Sequence, residues 1–299
     1  MDQISENARG ALLMMGSMVA FTLNDAFMKG LSGDIPLFQA IFLRGIGTVA
    51  FLSALAYFTG QMQWAFGRRN WLMIAVRTGA EVGGTFFFLS ALFLMPIANV
   101  TAVLQALPLT VALGAALFLN EPLGWRRLSA VIVGLVGVLL IVRPGTDGFS
   151  IYSLYALGAV ICVTVRDLAV RRIDCDVPSI MIGLVAAAAV LATGAIVTAG
   201  QDWVSVDGPT IWKLLGAMIC IIFGYVFSVT AMRHGEVSFV APFRYTSLVA
   251  ALIVGWFAFG DWPAPLTFLG AAIVVGMGLF TLYRERQLAA QTRLSNSQG

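Results

Sequence analysis

The sequence predicts an all-α integral membrane protein in which ten transmembrane helices form two inverted five-helix repeats. Three observations support this fold class: the composition, the length of the apolar segments and a similarity between the two halves of the chain. Hydrophobic residues make up 59 % of the 299 residues and charged residues only 11 %, whereas about a quarter of the residues in a soluble domain are charged. The composition therefore places most of the chain in lipid.

The apolar residues are grouped in segments about twenty residues long, which is the length of a helix that crosses a hydrocarbon core of about 30 Å. Only helices and closed barrels satisfy their backbone groups in lipid, and these segments are too long and continuous for barrel strands. The first segment is predicted to be a retained helix, because no small-residue cleavage site follows it. The predicted spans are residues 10–30, 36–58, 71–94, 97–119, 124–142, 152–171, 178–199, 212–232, 237–259 and 265–283.

The loop charges predict the orientation. If both termini lie on one side, that side carries eleven of the 18 Lys and Arg residues and the other side carries three: Lys29, Arg143 and Lys213. The positive-inside rule then places both termini in the cytoplasm, and the protein in the cell (inner) membrane. The net charge of +3 is too small to indicate a nucleic-acid partner. The expected partners are a small-molecule substrate and the lipid bilayer, with the protein as a monomer or a homodimer.

The two halves of the sequence resemble each other. Shifts of 140 to 142 residues superpose polar and turn residues: Gly16 on Gly158, Thr22 on Thr164, Asp25 on Asp167, Lys29 on Arg171, Pro36 on Pro178 and Glu121 on Asp261. Each unit holds five spans, and this odd count inverts the second unit in the membrane. Inverted repeats are typical of secondary transporters, whose substrate site lies near the midplane. The predicted units are residues 1–145 and 146–287, followed by a disordered cytoplasmic tail at 288–299.

Short motifs at the end of each unit indicate a family. Residues 120–127 (NEPLGWRR), 134–137 (GLVG) and 143–145 (RPG) resemble the end of an EamA-type repeat of the drug/metabolite transporter superfamily. Residues 260–263 (GDWP), Gly270 and residues 284–286 (RER) resemble the matching end of a second repeat, with Asp261 where the family usually has Glu. The resemblance covers nearly the whole chain, and it implies ten helices and transport of small metabolites, often amino-acid export.

Charged residues inside a membrane are costly and are candidates for function. Arg77 and Glu81 are four residues apart, so a helix places them on one face. Glu81 lies about ten residues into its span, or about 15 Å at 1.5 Å per residue, close to the bilayer centre. Two interpretations remain: a fixed ion pair between helices, or a Glu81 that contacts substrate or exchanges a proton.

Two further pairs have the same spacing at equivalent positions of the repeats: Asp25 with Lys29, and Asp167 with Arg171. Inverted symmetry puts one pair toward each side of the membrane, as gates at the two ends of one pathway would lie. The alternative is that these charges only snorkel to the interface. Arg166, next to Asp167, belongs to the same predicted group of gating or pairing residues. Asn24 could extend the constellation around Asp25 as a substrate contact.

Arg44 and Arg244 have no partner at helical spacing, so each must meet a carboxylate, backbone carbonyls, water or an anionic group of the substrate. Gln105 and Pro108 interrupt the fourth span, where a proline frees a carbonyl group for another partner. The predicted substrate-binding residues are therefore Glu81, Arg44, Arg77, Arg244, Asp25, Asn24 and Gln105. Because both signs of charge are present, a zwitterion is the expected kind of substrate.

The most specific interpretation is a secondary transporter that moves amino acids or similar metabolites outward by alternating access. Uptake of another metabolite, such as a nucleoside-like compound or a methyl-donor cofactor, is the main alternative.

A membrane enzyme is disfavoured because no P-loop, HExxH or GxSxG motif occurs and because His234 is the only histidine. A channel is disfavoured because no ring of charges is evident. No cofactor or metal is expected, and Cys162, Cys175 and Cys220 have no metal-like spacing.

Overall fold

The computed structural model describes the backbone of residues 2–120, 124–144, 150–174, 176–234 and 237–296, and every regular element in these ranges is a helix. The elements are α1 (Asp2–Lys29), α2 (Leu37–Phe58), α3 (Arg68–Leu94), α4 (Ile97–Leu104), α5 (Leu107–Phe118), α6 (Trp125–Val142), α7 (Ile151–Val170), α8 (Ser179–Thr198), α9 (Gly208–His234), α10 (Val237–Val240), a 3-10 helix (Ala241–Tyr245), α11 (Thr246–Phe259) and α12 (Pro265–Asn296). Within the described ranges, ten stretches are long and apolar enough to cross a membrane. The predicted number of spans is confirmed.

Two of the ten spans are broken helices. The fourth span consists of α4 and α5, and Pro108 stands in the first turn of α5, where its missing N–H leaves no helical bond unmade. The ninth span, Ala241–Phe259, consists of the 3-10 helix with Pro242 and of α11, and the short helix α10 precedes it. The predicted interruption at Gln105 and Pro108 is confirmed, and the second repeat has its own interruption at the equivalent place.

The helices pack in pairs that obey the inverted repeat. In the repeat α1 corresponds to α7 and α3 to α9, and the structure packs α1 on α9 and α3 on α7. The contacts inside these pairs are also equivalent. A Cβ atom at Gly16 of α1 would lie 3.3 Å from the ring of Phe227, and one at Gly158 of α7 would lie 3.2 Å from the ring of Phe87. The remaining main pairs, α2 with α8 and α6 with α12, each join a helix to its own counterpart.

The α6–α12 pair is a glycine seam between the two repeats. A Cβ atom at Gly270 would lie 2.5 Å from the carbonyl oxygen of Gly137, so only glycine permits this approach. Small residues allow such backbone contact in lipid, where the hydrophobic effect does not drive helix association. Gly137 and Gly270 thus lie at the contact between the two repeats.

The bundle has two ends, which we call the terminal face and the opposite face. The terminal face is the end at which α1 begins and α12 finishes; α1 ends and α12 begins at the opposite face. A buried apolar cluster from α1, α2, α3, α4, α9 and α11 lies toward the opposite face and includes Met28, Leu31, Leu92, Ile97 and Leu214. A second cluster packs α4, α5, α6, α7 and α12 together.

The C-terminal segment differs from the prediction. Residues 288–296, predicted to belong to a disordered tail, continue α12 as helix up to Asn296. The residues after Tyr283 are polar but rich in Arg, Gln, Leu and Ala, which are good helix formers that can extend an existing helix. Polarity ends the transmembrane part of α12 near Arg284, but it does not end the helix.

Candidate substrate-binding site

Charged side chains from α3 and α7 meet in the middle of the bundle around Glu81. Its Oε2 lies 3.3 Å from Nη2 of Arg77, one helical turn away, and 3.5 Å from Nη1 of Arg166 on α7. Nε of Arg166 in turn donates a 2.9 Å hydrogen bond to Oδ1 of Asp167. Arg77 and Glu81 therefore pair as predicted, and Glu81 also joins α3 to the second repeat.

A second polar group lies on α1 and α2. Nδ2 of Asn24 donates a 2.9 Å hydrogen bond to Oδ1 of Asp25, and Nη1 of Arg44 lies 3.4 Å from Oδ1 of Asn24. Arg44 also interacts electrostatically with Asp25 and Glu81, which connects the two polar groups. Arg44, which has no partner at helical spacing, thus meets partners from two other helices.

The two broken spans meet at Gln105, in the break between α4 and α5. Nε2 of Gln105 donates a 3.0 Å hydrogen bond to Oγ of Ser247, in the first turn of α11. Thr22 of α1 lies 3.5 Å from the carbonyl oxygen of Ser247. Gln105 is buried, and its contact with Ser247 joins the two interrupted spans.

Arg244 lies in the 3-10 helix of the ninth span, and its side chain is exposed. It interacts electrostatically with Asp167 and with Arg166. The 3-10 geometry brings Arg244 toward the bundle interior at the end of α7 that lies nearest the terminal face. Of the predicted substrate-binding residues, Arg244 is the most accessible.

Asp25, Lys29 and Asp167 each have a described partner other than the i,i+4 partner that was predicted. Lys29 pairs with Asp261 at 3.8 Å, and its ammonium donates hydrogen bonds to the carbonyl oxygens of Leu92 and Met95 at the end of α3. Asp25 instead lies beside Asn24 and Arg44, and Asp167 pairs with Arg166. Helical spacing allowed the predicted pairs, but the tertiary structure offers partners with better geometry.

The two ends of the bundle are packed differently. Equivalent residues of the two repeats differ in burial: Met28 is 0 % exposed, whereas its counterpart Val170 is 41 % exposed. The side chain of Lys29 is 12 % exposed, whereas its counterpart Arg171 is exposed at the terminal face. The apolar cluster lies toward the opposite face, so this end is more tightly packed than the terminal face in this conformation.

Tyr225 of α9 is a site residue that the sequence analysis missed. Its hydroxyl interacts electrostatically with Glu81, Arg44, Arg166 and Arg77, although its ring exposes 41 % of its surface. Its place inside a predicted span could have indicated a role in the site. Tyrosine is also common at helix ends in membranes, however, so the residue was not singled out.

The assembled site contains four guanidinium groups and three carboxylates, contributed by α1, α2, α3, α7 and the 3-10 helix. Two of its arginine Nε atoms, in Arg44 and Arg77, are buried without a hydrogen-bond partner among the described residues. No group of His, Cys, Asp or Glu in the described ranges could hold a metal ion. The arrangement can bind a small molecule that carries charges of both signs.

The sequence matches the EamA-like transporter family twice, at residues 8–143 and at residues 150–283. The chain belongs to the EamA-like transporter family. The two matched stretches agree with the two inverted repeats of the fold, and the predicted resemblance is confirmed. This EamA-like transporter is therefore a multi-pass membrane protein that moves a small metabolite, and the family comprises transporters, not enzymes.

Several proteins named as transporters are similar to this EamA-like transporter over most of their length. An S-adenosylmethionine uptake transporter of Rickettsia felis is 26 % identical, covering 94 % of each chain. A riboflavin transporter of Vibrio cholerae is 28 % identical over 89 % of this chain and 90 % of its own. A pseudopaline exporter of Pseudomonas aeruginosa is 28 % identical over 89 % of this chain and 93 % of its own.

A solved crystal structure has the same fold. It superposes on this EamA-like transporter with a TM-score of 0.61 at 22 % identity, covering 94 % of this chain and 99 % of its own. At this identity the similarity supports the ten-helix architecture alone. The chemistry of the site has to be argued from the residues of this chain.

Proposed function

We propose that this transporter carries zwitterionic small metabolites, with amino acids as the first class of substrate, and moves them outward by alternating access. The observation that carries the proposal is the grouping of four guanidinium groups and three carboxylates within the membrane-spanning part of the bundle. A neutral substrate would not offset the cost of keeping these charges inside a bilayer. A molecule with a carboxylate and an ammonium group provides a partner for each sign.

Arg44 is the proposed contact for the substrate carboxylate. Among the described residues, its one hydrogen bond to a side chain is a long contact of 3.4 Å with a neutral amide oxygen, and its Nε is buried there without a hydrogen-bond partner. A guanidinium forms its strongest bonds with carboxylates, in a bidentate geometry. Arg44 therefore has both the charge and the unused donor that a bound carboxylate requires.

Glu81 and Asp25 are the proposed contacts for the substrate ammonium group. Both interact electrostatically with Arg44, so an ammonium placed near them lies within the span of one small molecule from the guanidinium. Binding in this orientation would compete with Arg77 and Arg166 for Glu81. This competition supplies a way in which substrate could loosen the contact between α3 and α7.

The relatives support a small-metabolite carrier but do not select its substrate. Their names refer to three different compounds, and they include both uptake and export. The orientation remains a proposal, with the terminal face in the cytoplasm and the protein in the inner membrane, and it is supported by the eleven-to-three distribution of basic residues. In this orientation the end at which Val170 and Arg171 are exposed faces the cytoplasm, the side from which an exporter takes up its substrate.

Counterflow in proteoliposomes tests the proposal. Purified protein is reconstituted with an excess of one unlabelled amino acid inside, and transient accumulation of the same labelled amino acid is measured. We expect accumulation for at least one member of a panel of amino acids, and a loss of about tenfold or more in Arg44→Gln, since a charge-assisted hydrogen bond contributes about 1.5–3 kcal/mol. Arg68→Gln removes the same charge from an exposed position outside the site and should retain the wild-type rate.

Two results would contradict parts of this proposal. A flat response across the amino acids, from protein shown to be folded, together with accumulation of a neutral compound, would contradict the zwitterion proposal. Equal activity of Arg44→Gln and the wild type would remove Arg44 from the substrate contacts. Comparing accumulation in right-side-out and inside-out vesicles under a substrate gradient then gives the direction of transport.

A further inference from the structure

A groove between the terminal-face ends of α6 and α12 carries charge that the transport site does not use. It has a volume of about 370 Å³ and is lined by Trp125, Arg126 and Ser129 of α6 and by Tyr283, Arg284 and Gln287 of α12, with Phe280 at its inner edge. We call it the α6–α12 groove. None of these lining residues is acidic, and each of the two helices contributes one arginine.

The packing of the seam explains why the groove exists. Gly137 and Gly270 bring the two helices into backbone contact toward the opposite face. The two helices carry large side chains at their other ends, where Trp125 of α6 and Tyr283 of α12 are both exposed. The space between these ends is left open as the groove.

The level of the groove in the membrane follows from where the apolar parts of α6 and α12 begin and end. The apolar part of α6 begins at Trp125 and the apolar part of α12 ends at Arg284, so the groove lies at the boundary between lipid and water. Trp and Tyr are the residues that favour this level. Below the groove, Leu128 and Ile132 are exposed on α6 at 42 % and 56 %, which provides an apolar surface for acyl chains.

The side chains of the groove are held in place by contacts with one another. The guanidinium of Arg126 lies over the ring of Trp125, 5.4 Å from its centroid. Arg284 donates a hydrogen bond to Oε1 of Gln287, and Nε2 of Gln287 donates a 2.8 Å hydrogen bond to the hydroxyl of Tyr283. A guanidinium that is oriented in advance loses less entropy when it binds a phosphate.

We infer that the α6–α12 groove binds the phosphate headgroup of an anionic phospholipid, with its acyl chains along the exposed apolar face of α6. The charge complementarity, the level in the membrane and the adjoining apolar surface together select a lipid over a soluble anion. Since α6 and α12 are the last helices of the two repeats, a lipid bound here contacts both repeats. The inference concerns the surface of the protein and is independent of the transported substrate.

Native mass spectrometry of the full chain with added phosphatidylglycerol or phosphatidylcholine tests the inference. We expect one phosphatidylglycerol to bind more tightly than phosphatidylcholine, and Arg126→Gln/Arg284→Gln to weaken that binding by about 30-fold, because each basic residue near an anionic lipid contributes about a factor of five. Arg126→Lys/Arg284→Lys keeps the charge and should restore most of the affinity. The matched control Arg68→Gln/Arg69→Gln removes two exposed arginines from the same face outside the groove, and it should change the affinity less than threefold.

Four results would overturn the inference. The first is undiminished phosphatidylglycerol binding in the Arg126→Gln/Arg284→Gln protein, and the second is equal affinity for the two lipids. The third is full displacement of the lipid by glycerol phosphate, which would make the groove a site for a soluble phosphate. The fourth is a dimer of the chain that disappears in the double variant, which would make the groove an interface between copies.

Discussion

Lys29, the last residue of α1, forms an ion pair with Asp261, which follows α11, at a distance of 3.8 Å. The same ammonium donates hydrogen bonds to the carbonyl oxygens of Leu92 and Met95 at the end of α3. One side chain therefore connects three parts of the bundle at the opposite face. It lies beside the buried apolar cluster of this end. We therefore interpret these contacts of Lys29 as interactions that hold the opposite face closed.

Lys29→Met is expected to open the opposite face more often, because it removes the ion pair and the carbonyl contacts and keeps most of the side-chain volume. The measurement uses Asn24→Cys as a reporter, in a protein whose three native cysteines are replaced by alanine. An impermeant thiol reagent applied from the opposite face should label Asn24→Cys slowly when Lys29 is present. We expect labelling to be at least threefold faster in Lys29→Met.

The matched control for this experiment is Lys213→Met. Lys213 is also a lysine at the opposite face, and it pairs with Asp34 at 2.6 Å, but it does not contact Asp261. Labelling in Lys213→Met should stay at the rate measured with Lys29 and Lys213 intact. Equal labelling in the two variants would show that Lys29 has no special part in closing this end.

The partner of Lys29 illustrates what could and could not be predicted from the sequence. The number of spans and the inverted repeat follow from apolar length and from residues that recur after 140 to 142 positions, and both are confirmed. The pairing of Lys29 could not be predicted in the same way, because Asp261 is far away in sequence, whereas Asp25 lies one turn away. Local spacing shows which contacts are allowed, but the packing of distant helices decides between them.

Gly270→Ala is expected to destabilise the fold. A Cβ atom at Gly270 would lie 2.5 Å from the carbonyl oxygen of Gly137 and 2.8 Å from a side-chain carbon of Ile141. Backbone atoms on both sides cannot move independently, so α6 and α12 must separate, at a cost of about 1–3 kcal/mol. Thermal unfolding in detergent should show a clear decrease in the midpoint temperature.

Gly276→Ala provides the comparison on the same helix. No atom lies within 4 Å of a Cβ built at Gly276, and alanine favours the helix over glycine by about 1 kcal/mol. This variant should unfold at the wild-type temperature or slightly above it. If both alanine variants behaved alike, the seam would not depend on the close approach of Gly137 and Gly270.

Asp207, outside the membrane at the start of α9, should make the first turn of this helix sensitive to acid. Its Oδ1 accepts a 2.9 Å hydrogen bond from the backbone N–H of Thr210, and hydrogen bonds from Thr210 lower the pKa of Asp207 below its usual value of 3.8. A lowered pKa means that the charged cap stabilises the helix above that usual value and loses its effect as the pH falls through the lowered pKa. Hydrogen exchange of the Thr210 amide should therefore lose protection below about pH 4.

Asp207→Asn is the control for this pH effect. Asparagine caps helices about as well as aspartate, but its amide does not titrate in this range. Protection of the Thr210 amide in Asp207→Asn should not change with pH once the intrinsic exchange rate is subtracted. The same acid-dependent loss in both proteins would assign the effect to another group.

The sequence indicated which charged residues belong to the candidate site, but it did not indicate which end of the bundle is more tightly packed. The charged residues that meet around Glu81 and Asp25 were singled out from the sequence, because each stands among apolar residues. The difference in burial between Met28 and Val170 could not be predicted, because the two repeats are equivalent in sequence and a transporter must adopt both arrangements. Tyr225 was missed because its chemistry becomes apparent only when α9 is placed beside Glu81.

Glu81→Gln should destabilise the protein, because it leaves Arg77 and Arg166 facing each other without the carboxylate between them. We expect a loss of about 1–3 kcal/mol, since a partly buried charge loses its partner. Arg166→Gln alone should also destabilise, but the double variant should lose less than the sum of the two, with a coupling energy of about 1 kcal/mol. Thermal unfolding of the four proteins completes this cycle, and additive losses would show that Glu81 and Arg166 do not stabilise each other.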